Sequence, residues 1–154
     1  MTPRRLLTLT LVITLGTAGL AGCGDDVKAL SKEEFLKQGN AICAAGNERL
    51  GTAFTKAFGD LGDGEQPDPK VGGTMEQDVV IPVIQGEIDD IRALKPPKDL
   101  ADDVNQLADT TQAALDQLKQ LAKDDPAAAF QDGGKFFSNV PPLADKIGLT
   151  ECAK

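Results

Sequence analysis

The stretch LADDVNQLADTTQAALDQLKQLAKDD, residues 100–125, contains the clearest structural signal in this sequence. Its apolar residues recur every three or four positions, which places them on one face of an α-helix. Aspartates stand in its first turns and lysines in its last, as the helix dipole favours. Pro126 directly follows the two closing aspartates, and Asp124-Asp125-Pro126 ends the element. The apolar positions of this predicted helix are Leu100, Val104, Leu107, Thr111, Ala114 or Leu115, Leu118 and Leu121.

The same three-and-four spacing predicts a helix from Ser31 to Phe58. Ser31 and Glu34 have the capping-box spacing that marks a helix start. Gly39 and Gly46 lie on the face of this helix that carries Cys43, although glycine disfavours a helix interior by about 1 kcal/mol. Either another segment approaches closely there, the one with Cys152 being the best candidate, or the helix is weak and tolerates them.

Two further helical segments follow, and no stretch shows the alternation of a strand. One is predicted over Met75–Leu94, with Pro82 either in its first turn or bending it, and Pro96-Pro97 stop it. The other covers Pro126–Ile147, with a break or bend expected at Asp132–Lys135 and a kink or a new start at Pro141-Pro142. Gly148 is expected to cap it in a left-handed conformation.

Residues 59–74 carry five glycines and two prolines, so we expect a break without regular structure, serving as a mobile linker or a partner-binding loop. The overall prediction is an all-α fold, a four-helix bundle-like domain over residues 31–154.

The N-terminus has the layout of a secretory signal. Arg4 and Arg5 precede an apolar run to Leu20, which is shorter than the roughly twenty residues of a membrane span. Leu20-Ala21-Gly22-Cys23 then resembles a bacterial lipobox, whose cysteine receives a diacylglyceryl group and becomes the mature N-terminus. The sequence therefore predicts a lipoprotein signal peptide over residues 1–22, lipidation of Cys23 and a tether over residues 23–30. The alternative is an ordinary cleaved signal followed by an incidental cysteine.

These predictions place the protein on the outer face of the cell membrane, anchored by lipid. Two acyl chains are enough for stable anchoring. Signal removal takes away two arginines and no carboxylate, so the net charge goes from −8 to −10. Anionic headgroups repel such a domain, which leaves the lipid as the attachment.

Once Cys23 carries lipid, two cysteines remain, Cys43 and Cys152. In an oxidising compartment outside the cell they are most simply paired as one disulfide between the two ends of the domain. Two buried free thiols are the alternative.

Several motifs of the mature chain resemble a set of small actinobacterial exported lipoproteins of unknown activity. The resemblance rests on Ser31, Phe35 and Ala41-Ile42-Cys43, on Leu94 with Pro96-Pro97, and on Gly148-Leu149-x-x-Cys152. It implies a helical domain closed by a Cys43–Cys152 pair and brings no activity or ligand.

The composition excludes several classes of function. The chain has no histidine, so a Ser-His-Asp or Cys-His nucleophile and a histidine-ligated metal are impossible. Its negative charge repels nucleic acid. We expect no enzyme activity, no cofactor and no metal.

Two functional interpretations remain open. The first is a non-enzymatic interaction or structural domain with an envelope protein as partner. The second is a carrier or binder of a small apolar ligand or lipid, since interrupted helices can leave an apolar cleft lined by Ile84, Phe136 and Phe137.

Overall fold

The computed structural model describes residues 29–59, 61 and 65–154, and every regular element in this part of the chain is helical. The predicted all-α class is therefore confirmed. The α-helices are α1 (Lys32–Phe58), α2 (Pro69–Met75), α3 (Ile81–Ala93), α4 (Ala101–Asp124), α5 (Pro126–Asp132) and α6 (Val140–Ile147). A π-helical turn, Glu76–Val80, joins α2 to α3, and 3₁₀ turns cover Gly133–Phe137 and Thr150–Ala153.

The start of α1 has the predicted capping box. The backbone N–H of Glu34 donates to the Ser31 hydroxyl at 3.2 Å, and the backbone N–H of Ser31 donates to the Glu34 carboxylate at 3.1 Å. Both bonds satisfy amides that the helix itself leaves free.

The prediction of an irregular break over 59–74 is wrong at its C-terminal end. Helix α2 begins at Pro69, where the side chain of Asp68 accepts a hydrogen bond from the backbone N–H of Lys70 at 2.8 Å. An aspartate N-cap followed by proline at the first helical position is a helix start. From the sequence, Gly72 and Gly73 favoured a break, and this start signal was missed. Residues 60 and 62–64 of the break lie outside the described residues.

Pro82 does not end the helix, because a π-helical turn, which is wider than an α-helical one, precedes it. The backbone N–H of Ile81 donates to the carbonyl of Glu76, five residues back. Proline has no N–H to donate, and in a regular α-helix its ring crowds the carbonyl four residues earlier. A π turn changes that register, so α2, the π turn and α3 form one continuous helical run, Pro69–Ala93.

The C-terminal segment is interrupted near the predicted positions. A 3₁₀ turn follows α5, and Pro141-Pro142 stand in the first turn of α6, so they mark the new start rather than the kink. Gly148 has φ +99°, and its N–H and that of Leu149 both donate to the carbonyl of Ala144. This is the predicted left-handed cap.

The helices bury two apolar clusters along the length of α4. The first cluster joins the start of α1 and α4 to α6 and the end of α3, and its buried residues are Phe35, Ile91, Leu100, Val104, Leu107, Val140, Ala144, Ile147 and Leu149. The second joins α3 and the far half of α4 to α5, and its buried residues are Ile88, Leu115, Leu118, Ala122 and Ala129. Phe137 packs against both clusters.

The predicted disulfide is present. Cys43 in α1 and Cys152 in the last 3₁₀ turn are bonded, with their Cα atoms 5.0 Å apart and a sequence separation of 109. Gly39 makes the predicted close approach, since a Cβ placed there would lie 2.5 Å from Cδ2 of Leu149. For Gly46 the predicted neighbour was wrong, because this glycine faces Glu87 of α3.

The predicted signal peptide, Cys23 and most of the tether lie outside the described residues. At the end of the tether, the N–H of Leu30 donates to the carbonyl of Lys95 at 2.8 Å, and Leu30 packs against the first cluster. No helix in the described ranges is both long enough and apolar enough to cross a membrane.

Candidate functional site: a groove between the two apolar clusters

A half-enclosed groove of about 190 Å³ lies where α1, α3 and α4 meet the C-terminal turn. It sits between the two clusters, so its walls carry side chains from both. The apolar lining consists of Leu50, Ile84, Ile88, Ile91, Leu107, Ala108, Phe137, Val140 and Pro141, with the Cys43–Cys152 disulfide beside them. The disulfide ties the C-terminal turn to α1 and thereby holds one wall in place.

The structure brings two of the three predicted cleft residues together. Ile84 and Phe137 both line the groove. Phe136 does not line it and packs against the second cluster alone, whereas Phe137 contacts both clusters. Two adjacent residues in a 3₁₀ turn point in different directions, and sequence spacing alone does not say which one faces the opening.

Glu87 was not singled out from the sequence, and it is the residue that gives the groove its chemistry. Its half-buried side chain lines the groove from α3, opposite Gly46 of α1. A Cβ at Gly46 would overlap the Glu87 carboxylate, so the carboxylate occupies space that only glycine leaves. Burial raises the pKa of Glu87 from its ordinary 4.5 to about 7, and the positive charge of Arg49 opposes that rise.

The other polar groups of the groove already have partners. The Asn47 amide donates to the carbonyl of Glu151 at 2.8 Å, and the Thr111 hydroxyl donates to the carbonyl of Leu107 at 2.8 Å. At the rim, the Lys154 ammonium is 2.6 and 2.7 Å from the two carboxylate oxygens of Glu151. Within the described residues, no lysine or arginine nitrogen lies within 4.0 Å of the Glu87 carboxylate.

A second buried acid, Glu76, lies in the π turn and away from the groove. It is 8 % exposed, and burial raises its pKa to about 7. A Cβ at Gly133 would lie 3.7 Å from its Oε1, which places Glu76 against the 3₁₀ turn after α5. Glu76 and Glu87 thus share a raised pKa but lie in different surroundings.

No signal in the sequence distinguished these two glutamates from the other acidic residues. Each has both polar and apolar residues as sequence neighbours. The residues that bury its side chain come from a different helix, so they are far away in the sequence. Gly46, opposite Glu87, was the nearest available hint, since an interior glycine indicates that something approaches closely.

Within the described residues, no group of three or more His, Cys, Asp or Glu side chains is placed to hold a metal ion. Comparisons of the chain with protein-family models, with curated proteins and with solved structures found no match.

Proposed function

We propose that this protein is an extracytoplasmic lipoprotein of the kind seen in actinobacteria, whose helical domain is a non-enzymatic binding module. In this proposal residues 1–22 are a signal peptide, a lipid on Cys23 holds the protein at the outer face of the membrane, and residues 31–154 form a bundle-like domain. An envelope protein is its expected partner. The observation that carries the binding role is the apolar groove beside Glu87.

The size of the groove limits what it accepts. A volume of about 190 Å³ is below the roughly 300–1,000 Å³ of sites that enclose drug-sized ligands. An apolar cavity of about 150 Å³ is enough for a benzene molecule. The groove therefore suits one ring-sized apolar group, such as an anchoring side chain of a partner, and is too small for the chains of a membrane lipid.

A small free ligand is the second candidate function, and the lining favours it. Apolar walls with one carboxyl group are typical of small-molecule sites, in which a few polar groups orient a mostly apolar ligand. Ile84, Phe137 and Glu87 provide that combination.

The anchoring part of the proposal is tested by the intact mass of the protein purified from its native membrane. We expect a mature chain beginning at Cys23 with diacylglyceryl mass added. Cys23→Ser should carry no added diacylglyceryl mass. A wild-type chain that keeps residues 1–22, or that begins at Cys23 without lipid, would contradict this part of the proposal.

The binding part is tested by photocrosslinking in intact cells. A photoreactive phenylalanine derivative is placed at Leu50, on the groove, and in a matched variant at Gln117, an exposed position on α4 that does not line the groove. We expect a defined adduct from position 50 that position 117 does not give. Identical adduct patterns from both positions would show that the groove is not the binding surface.

A further inference from the structure

The Glu87 groove pairs an apolar lining with one acidic group that no basic group neutralises at close range. Asn47, Thr111, Glu151 and Lys154 all make hydrogen bonds or ion pairs with other groups of the protein. The described residues offer Glu87 no cationic nitrogen within 4.0 Å. A partly buried carboxylate in this position is costly unless something pairs with it.

We propose that this groove binds a small apolar ammonium ion, with its apolar body between the isoleucines and Phe137 and its cation against the Glu87 carboxylate. The inference deepens the second candidate function, the small free ligand, and rests on it for the location of the site. The occupant is a free amine with a body about as large as one aromatic ring.

The two parts of such a ligand match two parts of the groove. Ile84, Ile88 and Phe137 offer apolar surface. Removing the apolar body of the ligand from water contributes affinity but does not fix the ligand's orientation. The Glu87 carboxylate fixes the orientation of the ligand, because a charge-assisted hydrogen bond between ammonium and carboxylate is short and roughly twice as strong as a neutral one. A neutral ligand gains only the first contribution, and an anion is repelled.

The charged groups around Glu87 are compatible with this occupant. Helix α1 contributes Arg49, whose Nε–H donates to the carbonyl of Ala45 at 3.3 Å. The C-terminal turn contributes Glu151 and Lys154, which pair with each other. The lining residues from α4, α6 and the 3₁₀ turn before it carry no charge. Arg49 acts on Glu87 only from a distance and lowers its pKa, so an ammonium ion meets a carboxylate that no lysine or arginine nitrogen of the described residues contacts within 4.0 Å.

The test uses the full-length protein in detergent micelles and three probes of similar shape. The probes are 2-phenylethylamine, its neutral analogue 2-phenylethanol, and the anion 3-phenylpropanoate. Ligand-observed NMR titrations give each dissociation constant for wild type, Glu87→Gln and Glu76→Gln. Glu76→Gln is the matched control, since it removes a buried carboxyl with a similarly raised pKa but away from the groove. Probe partitioning into the micelles is common to all three proteins.

We expect the amine to bind wild type and Glu76→Gln equally. Glu87→Gln should weaken it by about 10- to 100-fold, the usual worth of a hydrogen bond to a charged group. The neutral probe should bind weakly and equally to all three proteins, and the anion more weakly still. Amine binding should tighten between pH 6 and pH 8 in wild type, as Glu87 ionises with its pKa of about 7, and stay flat in Glu87→Gln.

Three results would overturn the inference: no detectable amine binding, equal amine affinity in wild type and Glu87→Gln, or equal affinity for amine and alcohol. Weak but equal binding of amine and alcohol would reject the ammonium ligand and leave the groove as a binding site. If the photoreactive group at position 50 gives no adduct in cells while the amine binds the purified protein, the partner role is rejected and the ammonium ligand is not.

Discussion

Gly39 and Gly51 lie on the same helix but in different surroundings. A Cβ at Gly39 would lie 2.5 Å from Leu149, which is completely buried, whereas a Cβ at Gly51 meets nothing within 4 Å. We expect Gly39→Ala to destabilise the domain by about 1–2 kcal/mol, because overpacking outweighs the gain in helix propensity. Gly51→Ala should stabilise it by about 0.5–1 kcal/mol. Urea unfolding followed by circular dichroism measures both, and equal effects would contradict the packing seen around Gly39.

Glu76 makes stability depend on pH. With its pKa raised from 4.5 to about 7, the folded protein holds a proton that the unfolded chain releases between these two values. This contribution to stability is complete below about pH 4.5 and is lost as the pH rises through about 7. Wild type should therefore lose up to about 3 kcal/mol relative to Glu76→Gln between pH 4.5 and pH 8.

Urea unfolding of wild type and Glu76→Gln at both pH values tests this, and the difference between the two proteins removes the effect of the other carboxylates. A constant difference across the range would show that Glu76 titrates normally in the folded protein.

At the scale of the element, α2 depends on its contact with α5. Gly72 faces the ring of Phe130, and a Cβ at Gly73 would lie 2.7 Å from both the carbonyl carbon and the oxygen of Pro126. Backbone atoms cannot move aside as a flexible side chain does. The seven residues of α2 are the N-terminal end of the helical run Pro69–Ala93, and such an end frays readily without packing.

We therefore expect Gly73→Ala to release α2 from α5 while the rest of the domain stays folded. Hydrogen exchange should become faster over Pro69–Met75 and Pro126–Asp132 and stay unchanged in the centre of α4. Gly86→Ala in α3 is the control, because a Cβ there meets nothing within 4 Å. Unchanged exchange in Gly73→Ala would mean that the two helices are not held by this close contact.

Helix boundaries were predicted well where the signal is local. Ser31 with Glu34 and Gly148 with Ala144 form hydrogen bonds within five residues, and such pairs can be identified from spacing. Helix α2 shows the limit. Asp68-Pro69 is a start signal, but two glycines then argue against a helix, and only the contact with α5 makes those glycines favourable.

At the scale of the whole molecule, the disulfide joins the first helix to the last turn. The loop that it closes, with a sequence separation of 109 between the cysteines, restricts the unfolded chain. The chain-entropy model assigns about 4.7 kcal/mol to a loop near that length. We expect Cys43→Ser with Cys152→Ser to lower the free energy of unfolding by about 2–5 kcal/mol. Urea unfolding measures the loss, and wild type under reducing conditions is the control. Equal stability of oxidised and reduced wild type would contradict a structural role for this bond.

The same double replacement should also loosen one wall of the groove, because Glu151, Cys152 and Lys154 form that wall. The groove therefore exists only when several elements of the domain are packed together. Its residues come from α1, α3, α4, α6 and two turns, and no pair of these elements encloses it alone.

The sequence by itself determined the features that depend on near neighbours: the helical class, most helix boundaries, the caps at Ser31 and Gly148, and the pairing of two cysteines after Cys23 was assigned to lipid. Only the tertiary structure decided that Phe137 rather than Phe136 faces the groove, that Gly46 makes room for Glu87, and that α2 is a helix. The physical reason is distance along the chain. Caps and turns are hydrogen bonds within a few residues, whereas the burial of Glu87 depends on side chains more than forty positions before it and more than sixty after it, and no local pattern encodes which of them meet.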